Sequence, residues 1–169
     1  MFSWLAHLAQ RARTQAWARW LLSRALGWFI PFNGPHRFRV VRVEAHALTL
    51  KLPYRRANRN HLKGLHACAL ITLAELTSGA CLLLQVDPRR YRIILQKLQA
   101  NFHYQARRAA YARFEAPPQW VQDQIVTPLG EQQKVSVPCT VELHDEAGHH
   151  LATAQVHWQF KAWQSVQTR

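Results

Sequence analysis

Glu75 is the only charged residue between Gly64 and Val86, in a stretch that reads GLHACALITLAELTSGACLLLQV. Ala, Leu and Ile dominate this stretch and it has no proline, so it has the length and composition of a helix. On a helical wheel Glu75 lines up with Cys68, Ile71, Thr72, Gly79 and Leu82, while Leu70, Leu73, Thr77, Cys81 and Leu84 cover the other side. A helix that is apolar on every face is a buried one. Burying an ionised carboxylate costs several kcal/mol unless partners compensate. Either a basic or hydrogen-bonding group locks Glu75 in place, or Glu75 is the chemistry.

Such a helix needs a cover, and the rest of the chain reads as strands. Phe38–Glu44 and Ala47–Leu52 alternate as a hairpin that turns near Ala45-His46. Tyr91–Tyr104 is a long run with Ile94, Leu98, Ala100 and Phe102 on one parity, and Ala110–Ala116 is a shorter partner. Val135, Val137, Cys139, Val141 and Leu143 alternate against polar residues, turn at Asp145-Glu146-Ala147-Gly148, and are followed by Ala152, Ala154, Val156, Trp158 and Phe160. Pro138 cannot donate to a ladder and marks an edge or a bulge. The expected architecture is α+β, one curved antiparallel sheet of about six strands wrapped around one long helix.

Residues 1–30 precede this domain as one or two helices, and Ile30-Pro31-Phe32-Asn33-Gly34-Pro35 ends them. Trp4, Leu8, Trp17, Trp20, Leu21 and Trp28 supply anchors and the arginines a cationic face. Either the tryptophans pack this extension on the domain, or it lies on an anionic membrane surface. The expected division is a helical extension over 1–30 and a domain over 31–169.

The charge is uneven. Residues up to Arg113 carry +16, residues from Phe114 carry −3, and the net is +13. That surplus suits nucleic acid, anionic lipid, a phosphate-bearing cofactor or an acidic carrier protein. No helix-turn-helix, zinc or RNP-like pattern supports nucleic acid. Cys68, Cys81 and Cys139 have no metal-ligand spacing and read as reduced, buried thiols. His149-His150 lack a third well-placed ligand, so no metal site is expected. There is no run of about 18 apolar residues to span a membrane, and Arg11, Arg13, Arg19 and Arg24 break up any signal-peptide core. These features predict a cytoplasmic protein, with peripheral contact to the inner face of the membrane as the further option.

The run NRNHLKGLHACALITLAELTSG (Asn58 to Gly79) resembles the loop and helix start of the PaaI-like hotdog thioesterases. Their pattern is close to N-x-x-G-x-x-H-G-G, followed by an apolar stretch and L-A-D or L-A-E. The family's acid sits nine residues beyond its histidine, as Glu75 sits nine beyond His66. With PFNGPH upstream and YRIILQKLQANFHY downstream, the chain from Ile30 to about Trp163 is most similar to the DUF4442 branch of that superfamily. Three positions depart from the pattern. His66-Ala67-Cys68 replaces H-G-G, and Gly64 is offset by one residue.

The resemblance implies a hotdog fold and hydrolysis of an acyl thioester of coenzyme A or acyl carrier protein, at the interface of a homodimer or a dimer of dimers. Coenzyme A would enter as part of the substrate, with no cofactor. By match, Glu75 is the general base or nucleophile and His66 is the second catalytic position, although a histidine there also suits capping or orienting the loop. The N–H groups around His66 and Ala67, at the helix N-terminus, would polarise the carbonyl and hold the oxyanion. Asn60, His61, Gly64 and Ser78 are further oxyanion or substrate candidates, although Asn60 and His61 also suit loop shaping and Ser78 close packing. Arg55, Arg56, Arg59 and Lys63 either bind the phosphates of coenzyme A or an acidic carrier, or form a solvated loop. The loop from Pro117 to Gln133 is a candidate lining for an acyl pocket. A non-catalytic acyl-binding protein is the alternative function.

Overall fold

The apolar stretch folds as helix α3, Ala67–Gln85, with the side chain of His66 as its N-cap and Val86 after its last turn. Ten of its residues are buried, from Ala69 to Leu82, while Glu75 is half-buried and Cys68, Leu83 and Leu84 stay exposed. The structure, a computed structural model, describes residues 2–165; the ends of the expected 1–30 and 31–169 segments, residue 1 and residues 166–169, lie outside the described residues. Helix α3 is also the one described helix with the length and hydropathy to cross a bilayer, which the sequence reading did not anticipate. Its place here is the protein interior.

The sheet comprises β1 (Arg39–Val43), β2 (Ala47–Leu52), β3 (Tyr91–Phe102), β4 (Ala110–Glu115), β5 (Lys134–Asp145) and β6 (His150–Ala162). Among the described residues these six form one antiparallel sheet in the order β1-β2-β4-β5-β6-β3. Leu48, Leu50 and Leu52 of β2, Ala112 and Phe114 of β4, Val137 to Leu143 of β5 and Ala152 to Phe160 of β6 turn one face onto α3. This single helix wrapped by a coiled antiparallel sheet is the hotdog fold. Pro138 sits in an interior strand. It is tolerated because β4 pairs with β5 only over Ala110–Ala112 against Leu143–Asp145, which leaves Pro138 paired to β6 alone.

Strand β3 departs from simple alternation. A register shift between Leu95 and Lys97 admits Gln96 as an extra residue. The inner face therefore carries Ile93 and Leu95, then Leu98, Ala100 and Phe102, each opposite a core residue of β6, and Ile94 points outward. Leu95 and Phe102 remain exposed on that inner face.

Helices α1 (Phe2–Ala12) and α2 (Ala16–Phe29) form the N-terminal extension, and a 3-10 turn over Pro31–His36 follows. The expectation that tryptophans dock them is overturned. Leu8, Ala9, Ala12, Ala18 and Leu22 make the contact, whereas Trp4, Trp17, Trp20 and Trp28 face out. Small side chains let the helix backbones approach the domain closely at these points. The extension shares the domain's hydrophobic core.

The segment between β4 and β5 is helical: α4 (Pro118–Val121), a π-helical turn over Gln122–Val126, and α5 (Thr127–Glu131). Val121 and Ile125 anchor it in the core.

Candidate active site

The loop before α3 is built on two asparagines. Asn58, almost fully buried, donates from Nδ2 to the carbonyls of His36 (3.0 Å) and Pro53 (2.9 Å), and its Oδ1 meets His36 Nδ1 at 3.1 Å. Asn60 Oδ1 accepts from the N–H groups of Leu62 and Gly64, both at 3.0 Å, which closes the turn. Lys63 takes a left-handed backbone there, with φ of 61°. His61 is exposed at the tip. The sequence reading missed Asn58, whose signal was present in the same NRN triplet.

The helix N-terminus that follows is partly consumed. The His66 N–H donates to Asn58 O at 2.8 Å, and His66 Nδ1 accepts from the Cys68 N–H at 3.1 Å, which requires the imidazole proton on Nε2. His66 is thus a capping residue, and its own N–H is not free for an oxyanion. Among the described residues, no acceptor meets the N–H of Ala67 or Ala69. These two unpaired donors carry the positive end of the helix dipole. Arg56, Arg59 and Lys63 are exposed beside them, and the Arg59 guanidinium lies 5.3 Å from the Tyr54 ring centre. Arg55 holds Nη1 buried without an acceptor. Among the described residues, none of these four cations meets a carboxylate.

Glu75 lies elsewhere. Nine residues separate it from His66, about 13 Å along the axis at 1.5 Å per residue. Within one chain the structure therefore does not bring the two together. Glu75 is half-buried, and among the described residues no hydrogen bond or ion pair reaches its carboxylate. Loss of water around it pushes its pKa above the ordinary carboxylate value. The alternative of an acid locked by an arginine is absent from the described residues.

Glu75 opens onto a hollow of about 600 Å³. Leu76, Gly79 and Leu83 of α3 form one wall, Leu22, Leu26 and Ile30 of the N-terminal segment face them, and Ile93 and Trp158 of the sheet close a side. The expected lining from residues 117–133 does not contribute; the extension takes that place. Gly79 is required by the crossing, because a Cβ there would stand 2.6 Å from Trp158 Cζ2. Ser78 is fully buried, with Oγ against the carbonyl oxygens of Ala74 and Glu75 and accepting from Trp158 Nε1 at 3.0 Å. It fixes the indole at the side of the hollow and does not face the Ala67 donors. Trp158 and the leucines of α2 were legible in the sequence only as alternation and as a leucine run.

Two further sequence expectations change. Cys81 and Cys139 are buried and their thiols are pushed up to about 12 by loss of water, whereas Cys68 is exposed. His150 does have close ligand-type neighbours. The antiparallel register puts His144 opposite it, and the donor atoms of Glu142, His144 and His150 lie within 4.8 Å of one another on the outer sheet face.

Comparison with known proteins agrees with this architecture. A Pseudomonas aeruginosa protein of unknown function, described as a "probable thioesterase", superposes with a TM-score of 0.77 at 26% identity, over 83% of this chain and 94% of its own. A single-residue variant of a thioesterase from the same organism gives 0.65 at 16% identity, over 82% and 93%. A variant of a Staphylococcus aureus thioesterase gives 0.62 at 11%, over 78% and 98%. No curated protein matches the chain. Residues 18–160 match the family described as Domain of unknown function (DUF4442). That match begins inside α2, earlier than the likeness from Ile30 onward seen in the sequence. The chain therefore belongs to the DUF4442 family, as a thioesterase-like member of the hotdog fold.

Proposed function

We propose that the protein is an acyl thioesterase that hydrolyses thioesters of coenzyme A or of acyl carrier protein. The observation that carries this reading is Glu75, an unpaired carboxylate of raised pKa on the wall of an apolar hollow whose size falls in the ~300–1,000 Å³ range of small-molecule sites. The acyl chain fills the hollow. The Ala67 and Ala69 N–H groups hold the carbonyl oxygen as it gains charge. Glu75 takes a proton from water as the water attacks the carbonyl, and the thiolate leaves and is reprotonated; the alternative is direct attack by the carboxylate. Arg55, Arg56, Arg59 and Lys63 receive the phosphates of the carrier.

The roughly 9–12 Å between donors and base along the helix requires a second chain, so the working unit is a homodimer or a pair of dimers. The unpaired edge and half-bare inner face of β3 support that surface as the contact. A second reading, acyl binding without hydrolysis, is favoured by Ala67-Cys68 standing where the resemblance expects two glycines, since added Cβ atoms restrict close approach of the carbonyl.

The test is thiol release from acyl-CoAs of graded length by the protein and by Glu75→Gln. Release that falls about 10²–10⁴-fold in the variant supports the reading. Undiminished release removes Glu75 from the mechanism, and no release by either protein with acyl-CoA still bound favours the second reading.

A further inference from the structure

Helix α2 has two working faces. Leu22 and Leu26 look inward, while Trp17, Trp20, Leu21, Arg24 and Trp28 share one outward stripe at helical spacing. Trp20 is 63% exposed, Trp28 77%, and Phe32 on the following turn 68%. Large aromatic side chains bury 150–250 Å² each when covered, so leaving three bare is costly for a surface meant to face water.

A groove runs beside this stripe, and its residues carry the opposite chemistry to the inner hollow. Arg24, Arg37 and Arg39 line it together with Trp20, Trp28 and Asn33. Among the described residues none of the three arginines meets a carboxylate, and residues 1–43 hold seven arginines and no acid. Asn33 is 3% exposed, and its side-chain amide has no hydrogen-bond partner among the described residues. Guanidinium groups and an amide aimed at one groove suit a phosphate oxygen cluster. Indole and phenyl rings at its rim suit the headgroup level of a bilayer, where an aromatic body and a polar edge are both satisfied.

We infer that the outer face of α2 and the turn after it dock the protein on an anionic phospholipid bilayer, with Arg24, Arg37 and Arg39 around a lipid phosphate and Trp20, Trp28 and Phe32 in the interface. A nucleic acid would also answer the charge. Three features favour lipid: Leu21 and Phe32 add aliphatic and phenyl surface to the exposed patch, the stripe lies along one helix as an interfacial segment does, and the same helix walls the apolar hollow on its other side. The inference does not rest on hydrolysis.

The test is co-sedimentation of the full chain with vesicles of phosphatidylcholine, alone or mixed with phosphatidylglycerol, at low and high salt. Binding is expected to the mixed vesicles and to fall with salt. Replacing all three arginines by glutamate should weaken it by about a hundredfold or more, and the W20S/W28S protein should lose it while keeping its melting temperature, since both side chains are exposed. Equal binding by either variant, no binding to any vesicle, or displacement from vesicles by inorganic phosphate alone overturns the inference. So does tighter binding to an RNA or DNA oligonucleotide than to mixed vesicles.

Discussion

At the scale of single residues, Glu75 sets activity against stability. Its folded-state pKa is raised by loss of water, so the folded chain holds the proton more tightly than the unfolded chain. Folding stability therefore falls as pH rises from the ordinary carboxylate value through the raised one, and is fully kept below that window. Hydrolysis by a carboxylate base runs the other way and rises across the same window. Thermal melts and kcat/KM measured over pH should cross in this manner, and Glu75→Gln should melt higher than the parent at neutral pH while losing turnover. Gly79 makes a second residue-scale prediction. The Trp158 ring is held by its bond to Ser78 and cannot retreat from an added methyl group. Gly79→Ala should cost about 1–3 kcal/mol in denaturant unfolding. Thiol titration gives a third. Cys68 should react with a thiol reagent in the folded protein, and Cys81 and Cys139 only on unfolding, since burial holds both at about 12.

At the scale of elements, the sequence carried the strong periodicities and missed what depends on three dimensions. The 19 residues of α3 and the strands β1, β2, β4, β5 and β6 follow from apolar spacing and turn residues, and their observed bounds fall within a few residues of those expected. Strand β3 was legible as a strand, yet its facing was not. One extra residue at Gln96 reverses parity, and a bulge leaves no compositional mark there. Residues 117–133, the candidate lining for the pocket, do not reach the hollow, and α2 holds that place through leucines that look alike on either side of a helix. In the site itself, the His66 to Glu75 spacing was legible, and so was the loop-shaping role of Asn60. For His66 the sequence leaves substrate contact and capping both open, and it is Nδ1 lying over the Cys68 N–H that makes it a cap.

At the scale of the whole molecule, the donors at Ala67 and Ala69 open α3 while the carboxylate at Glu75 sits at its middle, two turns further on. Leu95→Glu on the inner face of β3 places a charge in the proposed contact, so light scattering should find a monomer, with thiol release lost in step. Retained dimerisation would move the contact elsewhere. The two hollows on either side of α2 have a further consequence, because Leu26 borders both. Helix α2 stands between a greasy chamber and a cationic one. Were α2 to tilt, widening one chamber would narrow the other, and two guests that never touch would sense each other through it. By reciprocity, an outer occupant that altered the fit of the inner guest would have its own grip altered by that guest to the same degree.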